Sequence, residues 1–484
     1  MLHVSVLYNI INSHMKMIKD FNTFRKALYR VFVRDPELDN LPLQTILNTI
    51  PRVDELTDII AGTPVLLRAD LDMPLKDGKV ADISRIEASS ATIKYCQQKG
   101  WKTIIFGHIG RDKNNTVAPV CETMSNHLRI PIQLIEDWLD EKNDRLQNSF
   151  VDIVKNANSG SIFMLQNTRK YAVEQALWEA NEDSFSAISR RMYAIGMDIQ
   201  QRLTTVEINE AIAASNIDFS SSAIPLLMSK VAMGFHIAKE MKDNFPKVKN
   251  ANLVVFSGLK PDKLDDLEGI LDRGKLLMII AAGSLAMPIL KARAQISGTD
   301  FSMGLAETDF SYKVFIQPKR VEQARRIVQK CEILGVDLVL PVDFILDNGQ
   351  ISKVIPPGQA QMDIGPESSA LIAKKVRAYI ERNKTKSDPY ILFFNGVFGM
   401  VEDSRFQEGT RSFIPLLREM TQAGILTYVG GGEGMLALLK YGSINDVTHA
   451  FTCGGTVLKS LRNRHIAYLK AMYLQMSKEG DDEH

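Results

Sequence analysis

The chain has 484 residues, of which 45% are hydrophobic and 24% are charged, and its formal net charge at pH 7 is +1. This length exceeds the roughly 250 to 300 residues at which one hydrophobic core stops growing, so the sequence predicts two domains. The near-zero net charge excludes a global electrostatic field that would hold nucleic acid or an anionic membrane. The sequence contains no run of about 18 apolar residues, so we predict no membrane span.

Residues 1–47 differ in composition from the rest of the chain. Up to Arg34 they contain one acid, Asp20, against six lysines and arginines interleaved with apolar residues. This pattern fits a mitochondrial or other organelle transit peptide, and it fits equally a helix that docks on a protein partner. The four cysteines have no zinc or disulfide spacing, which favours a reducing compartment, and without a transit peptide we expect a cytoplasmic protein.

From about residue 60, apolar strands alternate with amphipathic helices. In the first half we predict strands at 64–70, 102–106, 161–165 and 204–208, and helices near 82–99, 119–129 and 183–202. In the second half we predict strands at 252–257, 276–282, 336–342, 390–395 and 425–429. Unbroken apolar strands separated by helices indicate parallel sheets covered on both faces. The predicted fold is therefore α/β, with two doubly wound domains at 48–222 and 223–455, a long hinge helix at 224–241, and a C-terminal helical tail at 456–484.

The stretch VLLRADLDMPL at 65–75 places charges at the end of a predicted strand. Arg68, Asp70 and Asp72 follow at every second position, so they would point to one face. Ligands of open parallel sheets bind outside the carboxyl ends of the strands. The segment therefore indicates either a ligand site or a structural ion pair at a strand end.

Basic residues follow the neighbouring predicted strands. His108 and Arg111 lie in GHIGRDK, Arg169 follows in QNTRK, and Arg85 begins the helix after the first strand. Each residue has a structural explanation when taken alone, such as helix capping or a solvated surface. Together they predict a ring of basic groups that suits a small, multiply charged anion.

The second half carries lysines and glycines at the corresponding positions. SGLKPDK places Lys260 and Lys263 at a helix entrance, where backbone N–H groups favour phosphate. The loops NGVFGMVE and VGGGEGM follow two later strands, and glycine allows close approach of the backbone to a nucleotide. These loops predict a phosphate or nucleotide site.

Over about residues 48–462, these motifs occur in the order in which they occur in the phosphoglycerate kinases, and the chain resembles that family. LLRADLDMPLKDGKVADISRIEAS, GHIGR and QNTR resemble its first-domain motifs. VAMGFHIAKEM is similar to its interdomain helix. SGLKPDK, LPVD, MDIGP, FNGVFGMVEDSRFQEGT, GGGEGM and TCGGTVL are similar to its second-domain motifs.

The resemblance implies phosphoryl transfer between 1,3-bisphosphoglycerate and ADP, with Mg2+ bound to the nucleotide, across a closing hinge. It implies that the phosphoglycerate is held by Asp70, Asp72, Arg85, His108, Arg111 and Arg169. It implies that ADP or ATP is held by Lys260, Lys263, Gly283, Asn395, Glu402, Gly431, Gly432, Glu433 and Gly434. Glu433 would serve the metal, and Arg85 and Lys260 would neutralise charge on the moving phosphoryl group.

Several residues depart from the family pattern. Asp72 stands where the family has asparagine, and Asn216 and Ile217 stand where it has histidine and a substrate arginine. Glu433 and Gly434 replace aspartate and threonine, Ala281 and Ala282 replace two glycines, and Pro261 replaces a small aliphatic residue. These departures leave the fold prediction intact and weaken the predicted substrate site.

Three functions therefore remain open from the sequence. The first is a divergent, working phosphoglycerate kinase. The second is a catalytically impaired relative that serves as a structural or nucleotide-sensing subunit of a larger complex, with residues 1–47 and 462–484 as partner-binding segments. A dinucleotide-dependent dehydrogenase is disfavoured, because no acid ends a strand about 20 residues after Gly430–Gly434.

Overall fold

The computed structural model describes residues 20–33, 35–211, 216–258, 263–385, 387–452, 457–458 and 465–477. They form two compact units. The first contains the described residues up to Asp243 together with those from His465 onward, and the second begins at Asn244. The predicted boundary at 222/223 thus lies inside the first unit, and the tail from His465 belongs to that unit. Within the described ranges, no helix is both long enough and apolar enough to cross a membrane.

The first unit is built on a six-stranded parallel sheet. Its strand order is β10-β9-β1-β4-β8-β5, formed by β1 Pro64–Arg68, β4 Lys102–Phe106, β5 Ile132–Ile135, β8 Ile162–Leu165, β9 Val206–Asn209 and β10 Lys230–Met233. Two small hairpins flank it, β2 Leu75–Lys76 with β3 Lys79–Val80, and β6 Leu139–Asp140 with β7 Arg145–Leu146. The helices are α1 Phe21–Phe32, α2 Pro36–Asn40, α3 Leu43–Thr49, α4 Ser84–Gln98, α5 Ala118–Leu128, α6 Asn148–Asn156, α7 Glu182–Arg202, α8 Ile224–Leu227 and α9 Phe235–Ala238.

The register of this sheet brings several strand ends to one edge. Arg68, at the end of β1, is the partner of Phe106 in β4 and of Asn209 in β9. The strands carry buried apolar runs such as Val65–Leu67, and each buried side chain of this kind contributes about 1.5 to 3 kcal/mol. Because the strands are parallel, the residues that follow them emerge together at the carboxyl edge.

The second unit contains a second six-stranded parallel sheet of order β13-β12-β11-β17-β18-β19. Its strands are β11 Leu253–Phe256, β12 Met278–Ala281, β13 Asp337–Val339, β17 Ile391–Asn395, β18 Leu426–Gly430 and β19 His449–Phe451. A smaller antiparallel sheet comprises β14 Phe344–Leu346, β15 Ile351–Ser352 and β16 Gln361–Ile364. The helices are α10 Phe245–Val248, α11 Lys263–Leu271, α12 Ala286–Ile296, α13 Leu305–Thr308, α14 Pro318–Leu334, α15 Pro366–Asn383, α16 Glu408–Gln422 and α17 Gly432–Tyr441. The predicted α/β class with two parallel-sheet domains is confirmed.

The predicted long helix at 224–241 is wrong. This segment contains α8, then strand β10, and only then the helical residues from Phe235. β10 pairs with β9 in parallel, and Val231–Met233 are fully buried. A buried edge strand and an apolar helix give the same run of apolar letters, and here pairing with β9 decides for the strand.

The described residues nearest to the two chain ends pack within the first unit. The C-terminal helix α18 Ala467–Met476 contacts α1, α3 and α8, and it buries Tyr468, Leu469 and Met472. Lys470 is only 5% exposed and forms an ion pair with Asp39. The described parts of the two terminal segments therefore cover each other, which does not support the predicted binding of a protein partner through them. Residues 1–19 of the proposed transit segment lie outside the described residues.

Candidate functional site

The buried Arg68 organises the carboxyl edge of the first sheet. Its Nε donates to Ser220 Oγ at 3.0 Å, and one terminal nitrogen donates to the carbonyl of Ala69 at 2.8 Å. The other terminal nitrogen lies 3.1 Å from His108 Nδ1. The sequence did not predict this role, because an arginine on a strand gives no sign that it is fully buried.

His108 is a neutral hydrogen-bond donor in this environment. Burial lowers its pKa to about 2, and the nearby Arg68, Arg169 and Arg85 lower it in the same direction. A guanidinium has no acceptor, so Nδ1 must accept the bond from Arg68 and the proton of the neutral ring must lie on Nε2. His108 Nε2 lies 4.0 Å from Asp72 Oδ2. The ring therefore presents an N–H group at the strand edge.

The three predicted groups at the end of β1 have separate partners. Asp70 forms an ion pair with Arg85, which is the structural alternative that the sequence left open. Asp72 accepts the backbone N–H of Gly110 at 2.7 Å, and 43% of its side chain is exposed. Asp72 thus anchors the 107–111 loop while keeping a negative charge near the basic groups. Arg111 is exposed on that loop.

Arg169 is brought to the same loop. One terminal nitrogen donates to the carbonyl of Gly110 at 2.5 Å, and the guanidinium lies 5.2 Å from the ring centroid of Trp178. The residue is 7% exposed, and its buried Nε has no hydrogen-bond partner among the described residues. A buried N–H without a partner costs about 1 to 3 kcal/mol, so this donor favours an acceptor supplied by a ligand.

Two buried acids that the sequence did not single out lie behind these basic groups. Glu174 accepts hydrogen bonds from the Thr168 hydroxyl at 2.9 Å and the Ser220 hydroxyl at 2.6 Å. Asp218 accepts the indole N–H of Trp178 at 2.8 Å. Burial and the neighbouring Glu174 raise the pKa of Asp218 to about 6.

His108, Glu174 and Asp218 each bring one ligand atom within 4.8 Å of the others, a spacing that would suit a metal ion. The hydrogen bonding of His108 argues against this function. Its Nδ1 already accepts from Arg68 and its Nε2 carries the proton, so neither nitrogen offers a lone pair. The two acids instead accept hydrogen bonds from the side chains of Thr168, Ser220 and Trp178.

The two residues that replace the family's histidine and arginine immediately precede Asp218. Asn216 is exposed and Ile217 is half-buried. Neither side chain can supply the charge of a guanidinium. The predicted weakening of the substrate site at this position therefore stays a prediction.

In the second unit, Lys263 begins α11, after β11, and Glu433 lies at the start of α17, after β18. Lys263 Nζ donates to the carbonyl of Ser257 at 2.5 Å and lies 3.8 Å from Glu433 Oε2. Glu433 is in the first turn of α17, with 48% of its side chain exposed. An ammonium group beside a helix N-terminus favours an anion. Lys260 and Pro261 lie outside the described residues.

Glycines allow these loops to approach each other closely. A Cβ at Gly258 would lie 2.9 Å from both Glu433 Oε2 and Lys263 Nζ, and its φ is +106°. Gly396 has a φ of +114°, and a Cβ there would lie 2.3 Å from the Ser257 carbonyl oxygen. A side chain at Gly258 would displace Lys263 or Glu433, and one at Gly396 would clash with the Ser257 backbone. The predicted approach of these loops to a nucleotide stays a prediction.

The remaining predicted nucleotide residues are spread along the same edge. Asn395 is buried and donates to the carbonyl of Gly430 at 2.7 Å, so it links β17 to β18. Gly283 begins the turn after β12, and Glu402 is exposed on the loop after β17. Gly431 is the N-cap residue of α17, and Gly432 and Gly434 lie in its first turn.

A small cavity of about 10 Å³ adjoins the Gly283 turn and was not predicted from the sequence. It is lined by Ser284, Met287, Met303, Ala306, Tyr312, Val314, Ala360 and Gln361. A cavity of this volume holds about one water molecule, so it does not accommodate a nucleobase.

Comparison with known proteins gives a consistent result. The sequence model of the family described as "Phosphoglycerate kinase" matches residues 53–464. The phosphoglycerate kinase of Elusimicrobium minutum is 27% identical over 443 residues, covering 87% of this chain and 99% of that protein. That of Clostridium novyi is 28% identical over 432 residues, covering 85% and 96%.

Solved structures are similar over the same extent. Phosphoglycerate kinases from Coxiella burnetii and Pyrococcus horikoshii align with TM-scores of 0.67 and 0.71, each at 22% identity. Each covers 88% of this chain, and the aligned parts are 100% and 99% of those two chains. The likeness agrees with the two parallel-sheet units described above.

Proposed function

Since the chain belongs to the phosphoglycerate kinase family, we propose that it transfers a phosphoryl group between 1,3-bisphosphoglycerate and ADP, giving 3-phosphoglycerate and ATP. One observation in the first unit carries this proposal. The buried Arg169 has an Nε–H without a partner, beside a neutral His108 that carries its proton on Nε2. These donors match the phosphate or carboxylate oxygens of a phosphorylated acid.

The other first-unit residues would complete this anion site. Arg85 is held by Asp70 at the end of β1, and Arg111 is exposed on the loop that carries His108. Because Asp70 is bonded to Arg85, it would fix the guanidinium and still leave a carboxylate oxygen for a substrate hydroxyl. Asp72 would lower the affinity for an anion through its charge.

The second unit would hold the nucleotide. Lys263 and the first turn of α17 supply positive charge and backbone N–H groups for phosphates. Gly283, in the turn after β12, would let the backbone approach the nucleotide closely, and Glu402 lies on an exposed loop where it would meet the ribose. Lys260, which lies outside the described residues, would also bind phosphate.

The donor set near α17 also fits Mg2+. Glu433 offers a half-exposed carboxylate at the helix start, and Mg2+ prefers oxygen ligands from one or two carboxylates together with phosphate. Bound there, the ion would neutralise charge on the nucleotide phosphates. Glu433 is longer than the family's aspartate by one methylene, so its carboxylate would reach farther from the backbone.

The reaction needs positioning and charge neutralisation rather than a covalent intermediate. Arg85 and Arg169 would orient the acyl phosphate or acid, and Lys263 would hold the nucleotide phosphates. The alternative of an impaired, structural or nucleotide-sensing relative loses one support, because the described terminal segments pack within the first unit.

A coupled assay tests the proposal directly. The purified protein is given 1,3-bisphosphoglycerate, ADP and Mg2+, and ATP formation is followed. Turnover is expected, with a raised KM for the phosphoglycerate. Lys263→Met, which keeps length and removes the charge, is the matched inactive control. No ATP above that control would contradict the kinase assignment, and nucleotide binding by calorimetry would then favour the sensing function.

A further inference from the structure

Trp178 contacts the basic edge of the first unit in a way that the proposed function does not use. The guanidinium of Arg169 lies 5.2 Å from the Trp178 ring centroid, within the range of a cation–π contact. Trp178 is 44% exposed, so burial in a core does not explain its position. The indole therefore forms one wall beside the arginine.

The indole is itself fixed from behind. Its Nε1–H donates to Asp218 Oδ1 at 2.8 Å, and Asp218 is fully buried. The second carboxylate oxygen of Asp218 has no hydrogen-bond partner among the described residues. Burying a carboxylate that is hydrogen-bonded through only one oxygen costs free energy of folding, so the position of Asp218 beside the indole calls for a function.

The side chain of Arg169 also requires contacts that hold it in one orientation. One terminal nitrogen is bonded to the Gly110 carbonyl, and its buried Nε–H has no partner. A long side chain with one such bond can rotate unless a second contact restrains it. Contact with an indole that is itself held by a hydrogen bond provides such a second restraint on the guanidinium.

We propose that Trp178 is a positioning residue for Arg169, and that Asp218 fixes the indole in the orientation that stacking requires. The recognised group is a phosphate or carboxylate of the phosphorylated acid. This inference rests on the proposed function for the identity of the ligand. It adds a specificity determinant at the position next to Ile217, where the family's arginine is absent.

Substitution at Trp178 separates positioning from folding. Trp178→Leu removes both the ring and the indole N–H, and it is expected to raise the KM for 3-phosphoglycerate by about three- to thirtyfold, the range of a cation–π contact. The KM for ATP is expected to stay unchanged. Trp178→Phe keeps a ring for Arg169 and is expected to recover part of the loss. Equal changes in both KM values would mean a structural function and would overturn the proposal.

Substitution at Asp218 tests the support of the indole. Asp218→Asn keeps an oxygen that accepts the indole N–H and removes the charge, so near-normal affinity is expected. Asp218→Leu removes the acceptor and is expected to behave like Trp178→Leu. If Asp218→Asn and Asp218→Leu weaken the binding of 3-phosphoglycerate equally, Asp218 acts through its charge, and the proposed support of the indole is wrong.

A matched control and a direct readout make the test independent of turnover. Phe21→Leu removes a similar stacking contact, that of Arg190 at 4.7 Å, and is expected to leave the KM for 3-phosphoglycerate unchanged. Trp101 and Trp138 are 1% and 4% exposed, so acrylamide quenching reports mainly on Trp178. Saturable protection of this fluorescence by 3-phosphoglycerate is expected.

The two hypotheses can then fail separately. Absence of turnover together with protection of Trp178 by 3-phosphoglycerate would remove the kinase function and leave the positioning function standing. Turnover with an unchanged KM for 3-phosphoglycerate in Trp178→Leu would remove the positioning function and leave the kinase function standing. In a protein without turnover, calorimetry of 3-phosphoglycerate with wild type and Trp178→Leu decides, since equal affinities would remove the positioning function.

Discussion

Replacing Asp72 by asparagine is expected to tighten binding of 3-phosphoglycerate. Asp72 carries a negative charge 4.0 Å from His108 Nε2, at the edge where the anion is proposed to bind. Its Oδ1 accepts the Gly110 N–H at 2.7 Å. Asparagine keeps an oxygen for that bond, so the substitution removes the charge and leaves the loop anchored.

The size of the effect follows from Coulomb's law. An anion about 6 Å away is repelled by about 0.7 to 1.4 kcal/mol at an effective dielectric constant of about 40 to 80. This corresponds to about a three- to tenfold lower KM. Because 43% of the Asp72 side chain is exposed, the lower end of the range is expected, and about 0.5 M salt should remove most of the gain.

The assay is the KM for 3-phosphoglycerate in the ATP-consuming direction, measured at low and high salt. Asp112→Asn is the matched control, because Asp112 is exposed on the same loop and caps the Asn114 N–H at 2.9 Å. That control should change the KM little. An unchanged or higher KM in Asp72→Asn would refute the reasoning, and it would mean that the charge itself is needed to hold the Gly110 loop.

Three further predictions address other parts of the two units. Ile217→Arg should lower the KM for 3-phosphoglycerate by about tenfold or more, since a charged contact contributes roughly 1.5 to 3 kcal/mol. Steady-state kinetics measures this KM, and an unchanged value would mean that the position does not face the substrate. Lys263→Met should weaken ADP binding by about tenfold or more in calorimetry, with Lys275→Met, an exposed lysine bonded to Asn250, as the control. Burial raises the pKa of Asp363 to about 7, so its contribution to stability is present below about pH 4 and is lost as the pH rises to about 7. In Asp363→Asn this loss, on the order of 2 to 4 kcal/mol, should be absent from urea unfolding measured between pH 4 and 8, and a pH dependence equal to wild type would contradict the assignment.

The sequence predicts the central strands well because each is a short, unbroken apolar run. β4 is predicted at 102–106 and observed at Lys102–Phe106, and β17 is predicted at 390–395 and observed at Ile391–Asn395. Two strands that were missed, β5 and β19, lie at the edges of the six-stranded sheets and are partly polar. Their identity depends on the neighbouring strand, which a local pattern does not contain.

The residues of the candidate site also divide into those that the sequence predicts and those that it does not. The basic residues at the strand ends could be predicted, because parallel strands place their carboxyl ends at one edge. Trp178 and Asp218 could not, since they lie in irregular segments 40 residues apart and meet only through the indole hydrogen bond. The sequence indicated Arg68 as a charge at a strand end, but its full burial and its control of the His108 tautomer follow from tertiary packing alone.

The departures from the family pattern concern ground-state binding more than the chemical step. Asp72 and Ile217 would act on the whole anion, and both reduce the positive charge offered to it. Arg85 remains in the first turn of α4, paired with Asp70, and Lys263 remains beside α17, where charge on a moving phosphoryl group would be neutralised. Interactions lost equally from the ground state and the transition state raise KM without lowering kcat. The expected kinetic signature of this chain is therefore a high KM for the phosphoglycerate with kcat largely retained, whereas a low kcat at saturating substrate would locate the defect in the residues that contact the transferred group.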